Sequence, residues 1–431
     1  SLAGMLLGAI RMNMPCAFVC EGTMMPIVYQ RKEHGFIHFF EQIARIKTGK
    51  TPFEAIGEIE SNLPLALGTD CERYGANSFN CVLEAVGLAV RGNGTAPAQS
   101  IERKKIAYQT GELAVKLAAS KCSPRRLLTQ TSLCNVATLD LACGGSSTTM
   151  LNLIAIAKEL SIKNLTFKTI GDIAKSTPLL LNQEDENSCI MPQFHKAGGV
   201  YAMLKQLLDA KLVKGDVLVN DGLTLEQMLE NVTVINAQVI SPADNSVIGS
   251  SRLRGIEGRV ADAGAVVEYN KEANFTGTAK VYSNEETAID ALLHREIRSG
   301  DVVVIRGEGP KSGPGMREIY TSLALLKGFD LEDKVAVITD GRISDFYNGI
   351  VVGHITPESN EQSLFSVLQD GDEIDISVSK GKISCDVKAK ELAQRFRDAD
   401  IGVSNYGNFF LKNWAKTCGS AVDGCTYKLK K

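Results

Sequence analysis

The sequence predicts an α/β protein in which a layered α/β domain is followed by a β-rich barrel or sandwich carrying a few helices. The first half alternates apolar strand-like runs with helix-period segments, the pattern of helices laid over a sheet. From Val232 onward, short β-branched runs dominate, separated by Gly, Asp and Asn turns. At 431 residues the chain is too long for one ordinary core. The change of character near Val232 to Ser241 divides it into domains at residues 1–236 and 237–431.

The opening "SLAGMLLGAIRMNMP" predicts a buried helix ended before Pro15. Its first cation, Arg11, follows an apolar run of only about ten residues, the wrong order for a signal peptide and too short for a bilayer span. So apolar a first element reads as a start inside a domain. A strand is predicted at "CAFVC" (Cys16 to Cys20), with helices at Ser78 to Val90, Ile101 to Ala119, "STTMLNLIAIAKEL" and "GGVYAMLKQLLDAKL". In the second half "VTVINAQVI", "GAVVEY", "AKVY", "DVVVI", "VAVIT", "EIDISV" and "KISCDV" predict strands. Ser283 and Glu286 form a capping box ahead of "ETAIDALLHREI", and Thr356-Pro357-Glu358 sets a cap before an N1 proline. Each of these helices follows a strand, as in a βαβ crossover.

Apolar residues make up 44% and charged residues 23%, an ordinary globular balance. Lys plus Arg (47) against Asp plus Glu (50) leaves a net charge of -3, with no dense basic run, which excludes nucleic acid as a partner class. Eleven scattered cysteines, an odd number without framework spacing, suit a reducing compartment, so a cytoplasmic location is expected.

The segment "DVVVIRGEGPKSGPGMREIYTSLALL" places a glycine-dense loop, Gly307 to Gly315 with Glu308 and Lys311, between a strand and a helix. Backbone N–H groups of such a loop approach an anion, and the helix N-terminus adds partial positive charge. The Gly-Lys-Ser/Thr ending of a Walker loop and the dinucleotide fingerprint are both absent, so the loop is either an anion site or glycine-rich for its turns alone. "KVAVITDGRISDFYNG" repeats the layout, with Arg342 and Ser344 just past a strand end at Thr339. Strand ends facing one crevice are where α/β proteins place ligands, which would bring Glu308 and Ser344 into one pocket. Ser344 alone also reads as a turn hydroxyl. "LACGGSSTTMLNLIAIAKEL" sets Gly144, Gly145, Ser146 and Ser147 at the mouth of a helix, offering a carboxylate N–H donors and hydroxyls, or merely capping it. "LGTDCERYGANS" holds Cys71 in a loop before a helix, where a thiol pKa is lowered, although no Cys/His group stands near it. His195 and His354, beside glycine turns, read as satisfied structural histidines.

Together "GTDCERYGANS", "LACGGSS", "FHKAGGV", "GEGPKSGPGMRE", "TDGRISDFYNG" and "VVGHITPE" resemble the dihydroxy-acid and sugar-acid (phosphogluconate-type) dehydratase family, in the family's order. The resemblance implies an N-terminal α/β domain, a C-terminal swivelling β-barrel domain and a homodimer. It implies removal of water from a 2,3-dihydroxy acid to give a 2-keto acid, with an iron–sulfur cluster and Mg²⁺ as cofactors. It further implies Glu308 as a Mg²⁺ ligand, Ser344 as the general base, Cys71 as a cluster ligand, and Gly145, Ser146, Ser147, Lys311 and Arg342 as substrate-binding residues.

The sequence departs from its relatives in several places. The Cys-Asp-Lys segment that carries further ligands in relatives would precede Ser1. Relatives read Gly-Ser/Thr-Cys where this chain reads Gly68-Thr69-Asp70-Cys71. After Ser344, the bulky Asp345-Phe346-Tyr347 replaces small residues and is expected to alter or close the substrate pocket. Two readings follow, a dehydratase that is inactive as this chain alone, or a non-catalytic paralogue or partner subunit that keeps the fold without the metal centre.

Overall fold

A computed structural model describes residues 2–62, 67–73, 75–182, 190–220, 222–269, 274–313, 315–344, 346–401 and 408–427. The chain forms two compact units, one of residues 1–38, 57–165 and 173–251, the other of residues 39–56, 166–172 and 252–431.

The first unit is mostly helical. The opening helix, Leu2–Met12, buries Ala3, Leu6 and Ile10 on one face. Helix Ile101–Ala119 starts at Ser100, whose side chain accepts from Arg103 N, and its outer face, which carries Ile101, Tyr108 and Val115 among charged residues, is exposed. Helix Gln130–Ala142 is capped reciprocally by Thr129 and Ser132 and is buried almost all round, as is Ser147–Glu159, so these two form the centre of the unit. The strand expected at Cys16–Cys20 does not pair in a ladder. Its backbone donors go to single loop acceptors, Phe18 N to Leu88 O at 2.8 Å and Cys20 N to the Asn93 side chain at 3.0 Å. The strand expected at "VTVINAQVI" is also absent, because Asn236 accepts from Gln238 N and Ile240 N donates to Asn236 O, a side-chain and backbone turn that breaks the extended run.

Buried Glu84 ties this unit together by accepting from Gly92 N (2.9 Å) and Gly94 N (2.8 Å). Burial pushes its carboxyl up to about 7 against these two donors. Below the ordinary value of 4.5 both folded and unfolded chains hold the proton, and between 4.5 and about 7 only the folded chain does. Stability therefore falls as pH rises through that window, by on the order of 3 kcal/mol at most from this group. Urea midpoints followed by circular dichroism should drop across it, and Glu84→Gln should flatten the slope.

The second unit is a closed eight-stranded barrel. Its strands are β1 (Leu253–Gly258), β2 (Ala261–Glu268), β3 (Asn274–Tyr282), β4 (Asp301–Ile305), β5 (Ala336–Thr339), β6 (Val351–Thr356), β7 (Glu373–Ser377) and β8 (Lys382–Cys385). Around the barrel the order is β5-β6-β2-β1-β8-β7-β3-β4. Inward-facing Val267, Val302, Val304, Ile338, Ile374 and Phe365 fill it. The β3, β4, β5 and β6 strands are mutually parallel, with Tyr282 and Thr339 both opposite Ile305. Their C-terminal ends consequently share one rim.

Two capping expectations are corrected here. The helix Glu285–Leu293 is capped by Asn284, which accepts from Thr287 N at 2.8 Å, and not by a Ser283–Glu286 box. No helix follows Thr356-Pro357-Glu358. The Glu358 carboxylate is turned instead to the amides of Lys311 and Ser312, and its own N–H goes to Glu361.

Candidate active site

The shared rim gathers the second unit's polar residues from four strand ends. Glu285 follows β3, Glu308 follows β4, Asp340 and Ser344 follow β5, and Glu358 follows β6. Strand pairing thus brings together residues far apart in sequence, as expected at the carboxyl ends of parallel strands.

Glu308 is buried, and its Oε1 accepts from Glu285 N at 2.7 Å. Arg317 lies 3.9 Å from Oε1 and also pairs with Glu285 and Glu286. Burial, with Glu285 and Glu286 adding repulsion, pushes the Glu308 carboxyl up to about 7 against that donor and the guanidinium. The β5 turn lies directly on Glu308. A Cβ on Gly341 would come 2.8 Å from Glu308 Cβ and 2.7 Å from Arg317 O, so only glycine lets these two loops touch. Arg342 N then donates to Arg317 O at 2.7 Å, and Arg342–Ile343 pairs in parallel with Glu318–Ile319. Ser344 follows this short strand directly, 1% exposed, with no hydrogen-bond partner for its Oγ among the described residues.

The helix after the glycine loop begins only at Thr321, beyond the strand Glu318–Ile319, so its N-terminus does not serve the loop. The loop amides do face anions, but these are the protein's own carboxylates, Asp340 and Glu358. Lys311 is likewise engaged internally, its Nζ 2.8 Å from both Glu361 Oε1 and Ser420 Oγ. Arg342 Nε donates to Met316 O at 3.0 Å, and its guanidinium lies 3.5 Å from Glu318. Phe346 is buried edge-on against Tyr320 at 5.5 Å, and Tyr347 is buried with its hydroxyl donating to Val335 O at 3.4 Å. Their bulk is thereby taken up in packing within the barrel unit; Asp345 lies outside the described residues.

His354 corrects an expectation. Its ring is fully buried with neither nitrogen hydrogen-bonded among the described residues, and burial, with Arg342 nearby, lowers its pKa to about 3. His195 is satisfied, between Thr95 Oγ1 at 2.8 Å and Glu102 Oε2 at 2.9 Å.

The remaining expected residues sit in the first unit. Ser146 caps helix Ser147–Glu159 by accepting from Thr149 N, and Gly144 and Gly145 have φ of 120° and 82°. Buried Arg73 donates to Gly145 O at 2.6 Å and lies 3.4 Å from Asp140, which accepts from Ser146 N at 2.7 Å. Arg73 therefore joins the Cys71 loop to the Gly145–Ser147 turn. Cys71 itself is 1% exposed and disulfide-bonded. A disulfide sulfur is no thiolate, so in this state Cys71 has no ligand to offer a cluster. Among the described residues no group of three His, Cys, Asp or Glu is arranged to hold a metal ion.

Asp340, Glu358, Glu285, Arg317 and the Arg73–Asp140 pair escaped the sequence reading. The available signal was an acidic residue within two positions of the end of each of two parallel strands, in "TDG" and "TPE".

The second unit gathers rim carboxylates and a hydroxyl at the ends of parallel barrel strands, where α/β proteins place their sites, and comparison with known proteins supplies the class. The model for the dihydroxy-acid/6-phosphogluconate dehydratase N-terminal domain matches residues 1–228, and that for the C-terminal domain matches residues 238–425. The chain is 37% identical over 427 residues to a dihydroxy-acid dehydratase of Clostridium novyi, covering 98% of this chain and 77% of that protein. It is 36% identical over 396 residues to one of Desulfitobacterium hafniense (91% and 70% covered), and 34% over 426 residues to one of Sulfurisphaera tokodaii (98% and 76%). The chain belongs to the dihydroxy-acid/6-phosphogluconate dehydratase family and is by class a hydro-lyase. Among the described residues no helix is long and apolar enough to cross a membrane.

Proposed function

We propose that the protein dehydrates a 2,3-dihydroxy acid of the branched-chain type to the 2-keto acid, as a cytoplasmic homodimer serving amino-acid biosynthesis. The observation that carries this reading is the direct contact of the Glu308 loop with the turn leading to Ser344 in a chain of this family. In the reaction C2 loses a proton and C3 loses hydroxide, and the resulting enol becomes the keto acid. Ser344 Oγ, buried and without a hydrogen-bond partner among the described residues, is the group assigned to the C2 proton, which it would take as the alkoxide and so become the neutral hydroxyl.

Family resemblance implies that an iron–sulfur cluster and Mg²⁺ assist relatives in this chemistry. The residues described here do not complete either centre, because Glu308 is a single carboxylate and Cys71 is in a disulfide. That same disulfide favours a second reading, a non-catalytic paralogue or partner subunit.

Anaerobic purification under reductant, with iron and sulfide analysis and a keto-acid assay, separates the two. Turnover of 2,3-dihydroxyisovalerate with bound iron supports the dehydratase. Turnover of aldonic acids alone moves the substrate to the sugar-acid class. Neither iron nor turnover supports the non-catalytic reading.

A further inference from the structure

The backbone donors of the Gly307–Gly313 loop can be accounted for one by one. Gly307 N reaches Ser359 Oγ (3.0 Å) and Asp340 Oδ2 (3.4 Å), and Glu308 N donates to Asp340 Oδ1 at 2.9 Å. Gly309 N donates to Ser312 Oγ at 3.1 Å, and Pro310 has no N–H. Lys311 N and Ser312 N both donate to Glu358 Oε2, at 2.7 and 2.9 Å, while Gly313 N donates to Gly309 O at 2.8 Å. Ser312 Oγ lies between the two acids, 2.8 Å from Asp340 and 3.2 Å from Glu358. The Ser359 side chain and amide also donate to Asp340.

A loop of converging N–H groups is an anion-binding nest. Here two fully buried side chains already occupy it, so it has no donors left for a substrate carboxylate or a phosphate. Asp340 comes from the β5 end and Glu358 from just beyond β6, which ties the loop to two further strand ends of the same rim.

We infer that Asp340 and Glu358 are positioning residues, whose carboxyl oxygens fill the nest of the Gly307–Gly313 loop as internal acceptors and so fix the direction in which Glu308 presents its carboxylate. The inference rests on the dehydratase reading for its consequence, since a misdirected Glu308 affects turnover only where Glu308 serves catalysis. Asn in place of Asp340, or Gln in place of Glu358, keeps one acceptor oxygen but turns an N–H₂ toward donors, so each variant loosens the loop while leaving side-chain volume unchanged.

The test uses the whole chain carrying ¹³C-carboxyl-labelled glutamate, with the Glu308 resonance assigned from its loss in Glu308→Gln. Asp340→Asn and Glu358→Gln should keep a cooperative melt yet move that resonance and accelerate amide exchange across residues 307–313 by tenfold or more. In the keto-acid assay kcat should fall about 10–100-fold with KM for the acid little changed, the pattern of lost orientation. Alanine at either position should act more severely than the amide. If the Glu308 resonance stays in place while the loop exchanges faster, the two acids are structural only and the inference is overturned. If the parent chain makes no keto acid, the dehydratase reading fails, and the carboxyl resonance still decides the positioning claim.

Discussion

Ser344→Ala is expected to lower kcat for keto-acid formation by about 10²–10⁴-fold, the range for losing a positioned proton-transfer group. The same change should leave thermal stability almost untouched. Ser344 Oγ has no hydrogen-bond partner among the described residues, so its removal breaks no native bond. A buried hydroxyl that bonds nothing is an energetic cost to the fold, and replacing it with a methyl group relieves that cost. This separates the two explanations for the residue. A turn hydroxyl would show the reverse profile, with lost stability and retained activity. The measurement is a melting curve beside a steady-state assay, and a variant that keeps its rate removes Ser344 from the proton-transfer step.

The sequence revealed this fold unevenly, for physical reasons. Strands β4, β5 and β7 are continuous or alternating β-branched runs, and their periodicity is strong enough to be read locally. The Cys16–Cys20 segment is equally apolar yet makes no ladder, because Asn93 and Leu88 take its N–H groups. Such partners lie some seventy residues away and leave no local trace. At the rim, Glu308 and Ser344 stood out because they sit among glycines. Asp340 and Glu358 did not, since an acid next to a turn ordinarily reads as a cap or a solvated residue. Only strand pairing reveals that both point at one loop. The disulfide state of Cys71 was equally hidden, because a scattered odd set of cysteines gives no pairing rule.

Barrel closure gives the second large effect. Gly258→Val should destabilise the second unit by about 3 kcal/mol or more, with Gly258→Ala intermediate. Gly258 has φ of 148° at the end of β1, where a bulge shifts the register with β2 between Ile256 and Gly258. A Cβ there would fall on the carbonyl oxygen of Ile383 in β8, and backbone cannot swing away as a flexible side chain can. The β1–β8 seam has little to spare, its pairing confined to Glu257 opposite Lys382, with Glu257 N donating to Gly381 O at 3.1 Å. Pushing β8 outward opens the seam and uncovers Ile383 and Ile256 in the barrel core. Trp414, the chain's single tryptophan, lies in this unit with its Nε1 on Pro310 O at 3.0 Å, so its fluorescence follows the unfolding of the barrel. The urea midpoint of that signal should fall in the order Gly, Ala, Val. An unchanged midpoint in the valine variant would mean that β1 and β8 are not in such close contact at the seam.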